Sequence, residues 1–218
     1  QSGFIASGEE QEAALLKLAG ESRGQRVRLA LAEALPHLTV PVRALVAQHL
    51  LRYDQDATDH NLPLLTWTGI RELPLADLVA CAHVSRIPQV TRLIARRIAE
   101  GADKEPAALD DLLANAARMP DGQSSIVAGL ADALKGWRKA PKPAAWDAFV
   151  ATLPKKDAIV AQDQARQLNV IFGDGQALDE IRKVALDDNA LMDQRRAALL
   201  SLIEAKDKQL KQVCEKLI

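Results

Sequence analysis

Apolar residues recur along this chain at helical spacing with little interruption. Val27, Ala30, Leu31, Ala34, Leu35 and Leu38 follow the i, i+3, i+4 series that puts side chains on one face of a helix. Val42, Leu45, Val46, His49, Leu50 and Tyr53 repeat the series, and Leu210, Val213, Cys214, Leu217 and Ile218 carry it again in the last segment. No alternating run of five residues reads as a strand. The pattern predicts an all-α protein.

Helix breakers cut the pattern into about thirteen helices, with starts near Glu9, Gln25, Pro41, Asn61, Leu75, Pro88, Pro106, Gly122, Pro143, Asp157, Gln176, Leu191 and Asp207. Pro41, Pro88, Pro106 and Pro143 fit the first turn of a helix, where a missing N–H costs nothing. Gly101, Gly136 and the Gly173–Gly175 turn are expected to end helices in the left-handed conformation. Every second start falls at 9, 41, 75, 106, 143, 176 and 207, an interval of 31 to 37 residues. A helix-pair period of this size predicts an α-solenoid, in which each antiparallel pair buries its apolar side by stacking on its neighbours.

Two segments carry a repeat signature. Arg26-Val27-Arg28-Leu29-Ala30-Leu31-Ala32-Glu33-Ala34-Leu35 resembles the Val-Arg-x-x-Ala-x-x-Ala-Leu helix of HEAT repeats. Gln194 to Leu202 resembles it too, preceded by the turn acids Asp187 and Asp188. The Trp, Gly–Tyr and Pro pattern of tetratricopeptide repeats is missing.

A longer stretch, Asp59-His60-Asn61-Leu62-Pro63-Leu64-Leu65-Thr66-Trp67-Thr68-Gly69-Ile70, is similar to a segment of large membrane-associated dehydrogenase-like proteins of the PVC bacterial group. The likeness runs on through Ser85 to Pro88 and Arg92 to Arg97, and returns from Phe172 to Ala205; Thr68 departs from it, since an aromatic often stands there. In that family a β-propeller precedes a HEAT-repeat region and a c-type cytochrome domain follows. The resemblance implies that residues 1–218 form one HEAT-like domain cut from a longer chain, a non-catalytic scaffold between redox domains in the periplasm or cell envelope. It also implies flanking domains, or another protein, as partners. No Cys-x-x-Cys-His is present, so no haem attaches to this segment.

Composition sharpens the reading. Aromatics are 3% against 48% hydrophobic residues, so the core is aliphatic, as suits closely packed helices. Charged residues cancel to a net charge of -1, which argues against a general nucleic-acid binder. No run approaches the roughly 18 apolar residues that cross a bilayer. An initiator Met and a signal peptide are absent, as expected of an excised piece, and the segment itself fixes no compartment.

Candidate chemistry is sparse. The loop Tyr53 to Asn61 holds Asp54, Asp56, Asp59 and His60 without the glycine and distal acid of an EF-hand; its acids are expected to serve the following helix, with Asp59 or Asn61 as cap. His37, His49, His60 and His83 are too scattered for a ligand set, and no Gly-x-Ser-x-Gly or phosphate loop occurs. Cys81 and Cys214 match no metal spacing, and Cys214 is expected to be buried. Trp146, with Phe149, Val150 and Leu153, has core spacing, while Trp67 points partly off its helix's apolar face and is either packed on the next repeat or an anchor for a partner. The run Arg86, Arg92, Arg96 and Arg97, with Trp67, Trp137 and Trp146, carries the alternative reading, a nucleic-acid-binding solenoid resembling DNA glycosylases. Glu100, Asp103 and Glu105 beside that run weigh against it. No residue is assigned a catalytic, cofactor-binding or metal-binding role. The last helix, from Lys208, has no visible partner, so the chain is expected to continue and to self-associate through that end.

Overall fold

The computed structural model describes residues 8–21, 24–118, 121–137, 139–154, 159–173, 175–204, 207 and 209–217. Among them are thirteen α-helices and no strand. The first six are α1 (Gly8–Glu21), α2 (Gln25–Ala34), α3 (Val40–Leu50), α4 (Leu62–Ile70), α5 (Leu75–Val84) and α6 (Pro88–Glu100). Then come α7 (Pro106–Ala116), α8 (Gln123–Ala133), α9 (Trp146–Ala151) and α10 (Ile159–Ile171). The last are α11 (Gly175–Leu186), α12 (Met192–Glu204) and α13 (Leu210–Glu215). Short 3-10 turns, Leu35–His37 and Asp54–Thr58, precede α3 and α4.

The breakers mark most starts to within one or two residues. Pro88 and Pro106 are the first residues of their helices and Pro41 the second of its own. Pro143 is not in a first turn: α9 starts at Trp146, whose N–H donates to the Pro143 carbonyl. The expected start at Asp157 lies outside the described residues, and α10 is described from Ile159. Gly136 and Gly173 do adopt positive φ, 85° and 61°. Gly101 instead ends α6 at φ -98°, a conformation open to any residue. Space is the constraint there, because a Cβ would stand 3.0 Å from Leu75 Cδ1.

The chain divides into two compact units, residues 1–135 with 143–165, and residues 136–142 with 166–218. In the first unit the packing has a fixed register. α1 packs on α3, α3 on α5, α5 on α7 and α7 on α9; α2 packs on α4, α4 on α6 and α6 on α8. From α1 to α7 each helix therefore meets the one two places along, and several chain neighbours also touch, such as α3 with α4 and α5 with α6. Leu31, Leu35, Leu50, Leu62, Ile70, Leu78, Ile94, Leu113, Val127, Trp146 and Phe149 fill the core. Small residues let backbones close in: a Cβ on Gly69 would lie 2.5 Å from Leu35 Cβ, and one on Gly129 2.3 Å from the Arg92 carbonyl oxygen.

Buried faces are rotated slightly from those the periodicity drew. On α2, Val27 and Ala30 face out while Arg28, Leu31 and Ala32 face in, joined by Leu35 of the following turn. On α3, Leu45 is exposed and Ala44 and Ala47 take its place. The expected core spacing of α9 holds, with Trp146 and Phe149 fully buried and their ring centroids 5.9 Å apart.

In the second unit α11 packs on α12 and α13 around Ala185, Ala198, Leu202 and Val213. The Ala140 N–H donates to the Ile171 carbonyl, tying the 136–142 segment to the end of α10. α13 is thus not the open helix that the periodicity implied, because Val213 is buried against α11 and α12. Cys214, expected inside, is exposed, since α13 turns Val213 inward and this neighbour outward. Ile218 lies outside the described residues.

Candidate functional site

The polar loop before α4 is built around an inward-facing arginine. Asp56 is buried and accepts two hydrogen bonds from Arg28, at 2.5 and 2.6 Å, with both side chains 2% exposed. The guanidinium lies 4.3 Å from the Tyr53 ring centroid, in cation–π contact. Asp56's hydrogen bonds hold Arg28 in its charged form, raising its pKa from the ordinary value. Asp56 therefore does not serve α4, as the sequence suggested; it neutralises a cation from α2.

Asp59 is the cap. Its Oδ1 accepts the N–H groups of Asn61 and Leu62, both at 2.8 Å, and its Oδ2 accepts Gln25 Nε2 at 2.6 Å. Asn61 makes no capping bond from its own side chain. The Leu62 N–H, then the Asn61 N–H, lower the Asp59 pKa. Asp54 binds the adjacent Gln55 N–H. The three carboxylates are thus turned to different tasks, and no group of three His, Cys, Asp or Glu among the described residues is arranged to hold a metal.

Two arginines of α6 are likewise engaged. Arg92 makes a bidentate pair with Asp132 of α8, at 2.6 and 2.9 Å, and Arg96 bonds Glu100 at 2.8 Å. The Asp132 pKa is lowered, first by its hydrogen bond from Arg92. Arg86 is exposed and Arg97 half-buried. Trp67 is half-buried, Trp146 fully buried and Trp137 53% exposed.

Contacts between elements two places apart form a series. Glu12 of α1 accepts the Thr39 N–H and hydroxyl at the start of α3, and Asp110 of α7 accepts the Ala145 N–H at the start of α9. Buried Gln123 of α8 donates to the Ala116 carbonyl and to Thr152. In the second unit Arg182 of α11 makes a bidentate pair with Asp207, just before α13. Apart from the Gln123–Ala116 bond between chain neighbours, the partners stand 25 to 40 residues apart, close to the helix-pair period. Sequence reading missed Arg28, Asp132, Gln123 and Asp207; the signal that would find them is a polar residue with a complement one period on.

Two remaining groups bear on chemistry. His49 is half-buried, its Cε1 3.5 Å from where a Cβ on Gly20 of α1 would stand, and desolvation, then the charge of Arg52, lowers its pKa. Cys81 is fully buried in α5, and burial pushes its thiol up to about 12. No helix among the described residues is long and apolar enough to cross a membrane. No protein-family model, curated protein or solved structure matches the chain.

Proposed function

We propose that the chain is a non-catalytic interaction scaffold, an α-solenoid of HEAT-like helix pairs that sets the spacing of other protein domains. The observation that carries this reading is the register of the first unit, where each helix packs on the one two places along from α1 to α9. Packing of that kind lets stability accumulate from neighbour contacts while the exposed surface lengthens with each pair. The polar contacts at one-period spacing support it, because each ties one pair to the next. The resemblance of Asp59 to Ile70 to the PVC-group proteins would put such a stack between a dehydrogenase-like β-propeller and a c-type cytochrome domain. Electron transfer would belong to those domains and the partners would be proteins. Ion pairing of Arg92 with Asp132 and of Arg96 with Glu100 favours protein over nucleic-acid partners, since neither cation is spare for phosphate.

Pulsed electron-paramagnetic-resonance distances test it. Spin labels at the exposed positions Ala30, Leu64, Gln89 and Ser124, on α2, α4, α6 and α8, should show separations from the α2 label that grow by roughly 10 Å per step, one helix diameter. The distances should stay narrow when a folded domain is fused at either end. Distances that fail to grow, or that broaden on fusion, defeat the scaffold reading.

A further inference from the structure

The turns that leave α3, α5 and α7 repeat one feature. These helices end at Leu50, Val84 and Ala116, and two residues beyond each stands an exposed arginine: Arg52, Arg86 and Arg118. They lie 34 and 32 residues apart, one helix-pair period each time. Because α3 packs on α5 and α5 on α7, the three turns are neighbours in space. Two contacts fix their register. The Arg86 N–H donates to the Leu51 carbonyl at 2.8 Å, and His83 and Asn115, each three residues before its arginine, line one small cavity. The arginines therefore form a row along one edge of the first unit, with a step of roughly 10 Å, the spacing of packed helices.

Their guanidinium groups are open to a partner. Arg28, Arg92 and Arg96 are held by Asp56, Asp132 and Glu100, whereas Arg52, Arg86 and Arg118 make no ion pair or side-chain hydrogen bond among the described residues. The acids closest in sequence leave them so: Asp54 accepts the Gln55 N–H, and Asp121 borders the cavity of His83 and Asn115. A cation just past a helix end is favoured by the helix dipole, which accounts for each arginine singly. The matched register makes them a surface. A guanidinium takes a carboxylate through two parallel hydrogen bonds, so an acidic occupant fits.

Spacing selects which one. A polyproline II segment turns once in three residues with a rise of about 3.1 Å each, so side chains at i, i+3 and i+6 share one face roughly 9 Å apart. That step matches the row. Phosphates along one strand of a duplex recur about every 3.4 Å of axis, so most would face no cation and some would face Asp54 or Asp121. We infer that the edge carrying Arg52, Arg86 and Arg118 docks an extended acidic segment of a partner protein, with a carboxylate at every third residue. The inference rests on the stacked register behind the scaffold reading and adds the chemistry of the partner.

Fluorescence anisotropy of a labelled peptide of four Glu-Pro-Pro units, titrated with the full chain in about 50 mM salt where surface charges are weakly screened, tests it. The comparison ligands are a peptide of the same composition with its glutamates in one block, and a short oligothymidylate. The spaced peptide should bind at least about fivefold more tightly than either. Arg52→Gln, Arg86→Gln and Arg118→Gln should each weaken it by about twofold to fivefold and the triple change by about tenfold or more, as exposed ion pairs do. Arg71→Gln, at the turn between α4 and α5, should leave it unchanged, with circular dichroism confirming that the helices persist in every variant. No binding of the spaced peptide, equal binding of the block peptide, tighter binding of the oligothymidylate, or a triple variant that binds like the unmodified chain overturns the inference. Spin-label distances that still grow along α2, α4, α6 and α8 would then leave the scaffold reading standing and remove only the acidic docking edge.

Discussion

Arg28 and Asp56 meet face to face through two hydrogen bonds in the interior of the first unit, 28 residues apart in sequence. A pair so enclosed has given up its hydration, so each partner depends on the other. Replacing either one by alanine leaves a bare buried charge and should cost about 3–5 kcal/mol. A joint Arg28→Met, Asp56→Leu change should recover most of that loss, because an apolar pair needs no counter-charge. Urea unfolding of the two single variants and the double variant checks the cycle; singles that lose under about 1 kcal/mol would mean the pair is hydrated in solution.

The glycines separate crowding from strain. Gly129 gains helix propensity of about 1 kcal/mol on becoming alanine, yet its new Cβ would sit 2.3 Å from the Arg92 carbonyl oxygen and 2.8 Å from Ala95 Cβ. Backbone cannot swing aside as a side chain does, so α6 and α8 must part. Gly129→Ala should therefore be net destabilising, by about 1–3 kcal/mol. Gly136→Ala meets nothing within 4 Å and costs only its left-handed backbone, about 1–2 kcal/mol. The two differ in kind: Gly136→Asn should be milder than Gly136→Ala, whereas Gly129→Asn should be worse than Gly129→Ala. Thermal melts of the four variants give the ordering.

These residues show what the sequence could reveal. Prolines and glycines mark where helices start and stop, because their effect is local, and Asp59 is legible as a cap for the same reason. The Trp146–Phe149 core spacing is local as well. Arg28 and Asp132 are not legible in that way. A helical stripe tells which residues share a face, but the face that turns inward on α2 is fixed by an acid in the loop before α4, and the partner of Arg92 lies 40 residues on. Cys214 fails for a related reason: Val213 and Cys214 are both apolar enough for the stripe, and packing against α11 and α12 selects Val213.

His49 gives the stability a pH dependence of known sign. Its folded pKa lies below the ordinary 6.5, chiefly through desolvation, so the fold favours the neutral ring. Its contribution is fully present above pH 6.5 and is lost as pH falls through the depressed folded value. The melting temperature should thus drop between pH 7.5 and 5, and His49→Gln should flatten that part of the profile. An unchanged slope in the variant would assign the dependence to another group.

The two cysteines should behave as opposites toward a thiol reagent. Cys81 has no exposed surface, and with its pKa near 12 only about one thiol in ten thousand is ionised at pH 8. Both access and thiolate are lacking, so it should react only when α5 opens. Cys214 is exposed on α13 and should be modified within minutes. Mass spectrometry of the native chain after brief iodoacetamide treatment should show one adduct, on the peptide containing Cys214, and a second adduct only in denaturant. The rate at Cys81 then reports the opening of the first unit, and Arg28→Ala should raise it by the same factor as it lowers the folding equilibrium if α5 opens with the whole unit. A Cys81 rate indifferent to Arg28→Ala would mean that α5 opens locally, without the α2–α4 packing that Arg28 and Asp56 hold together.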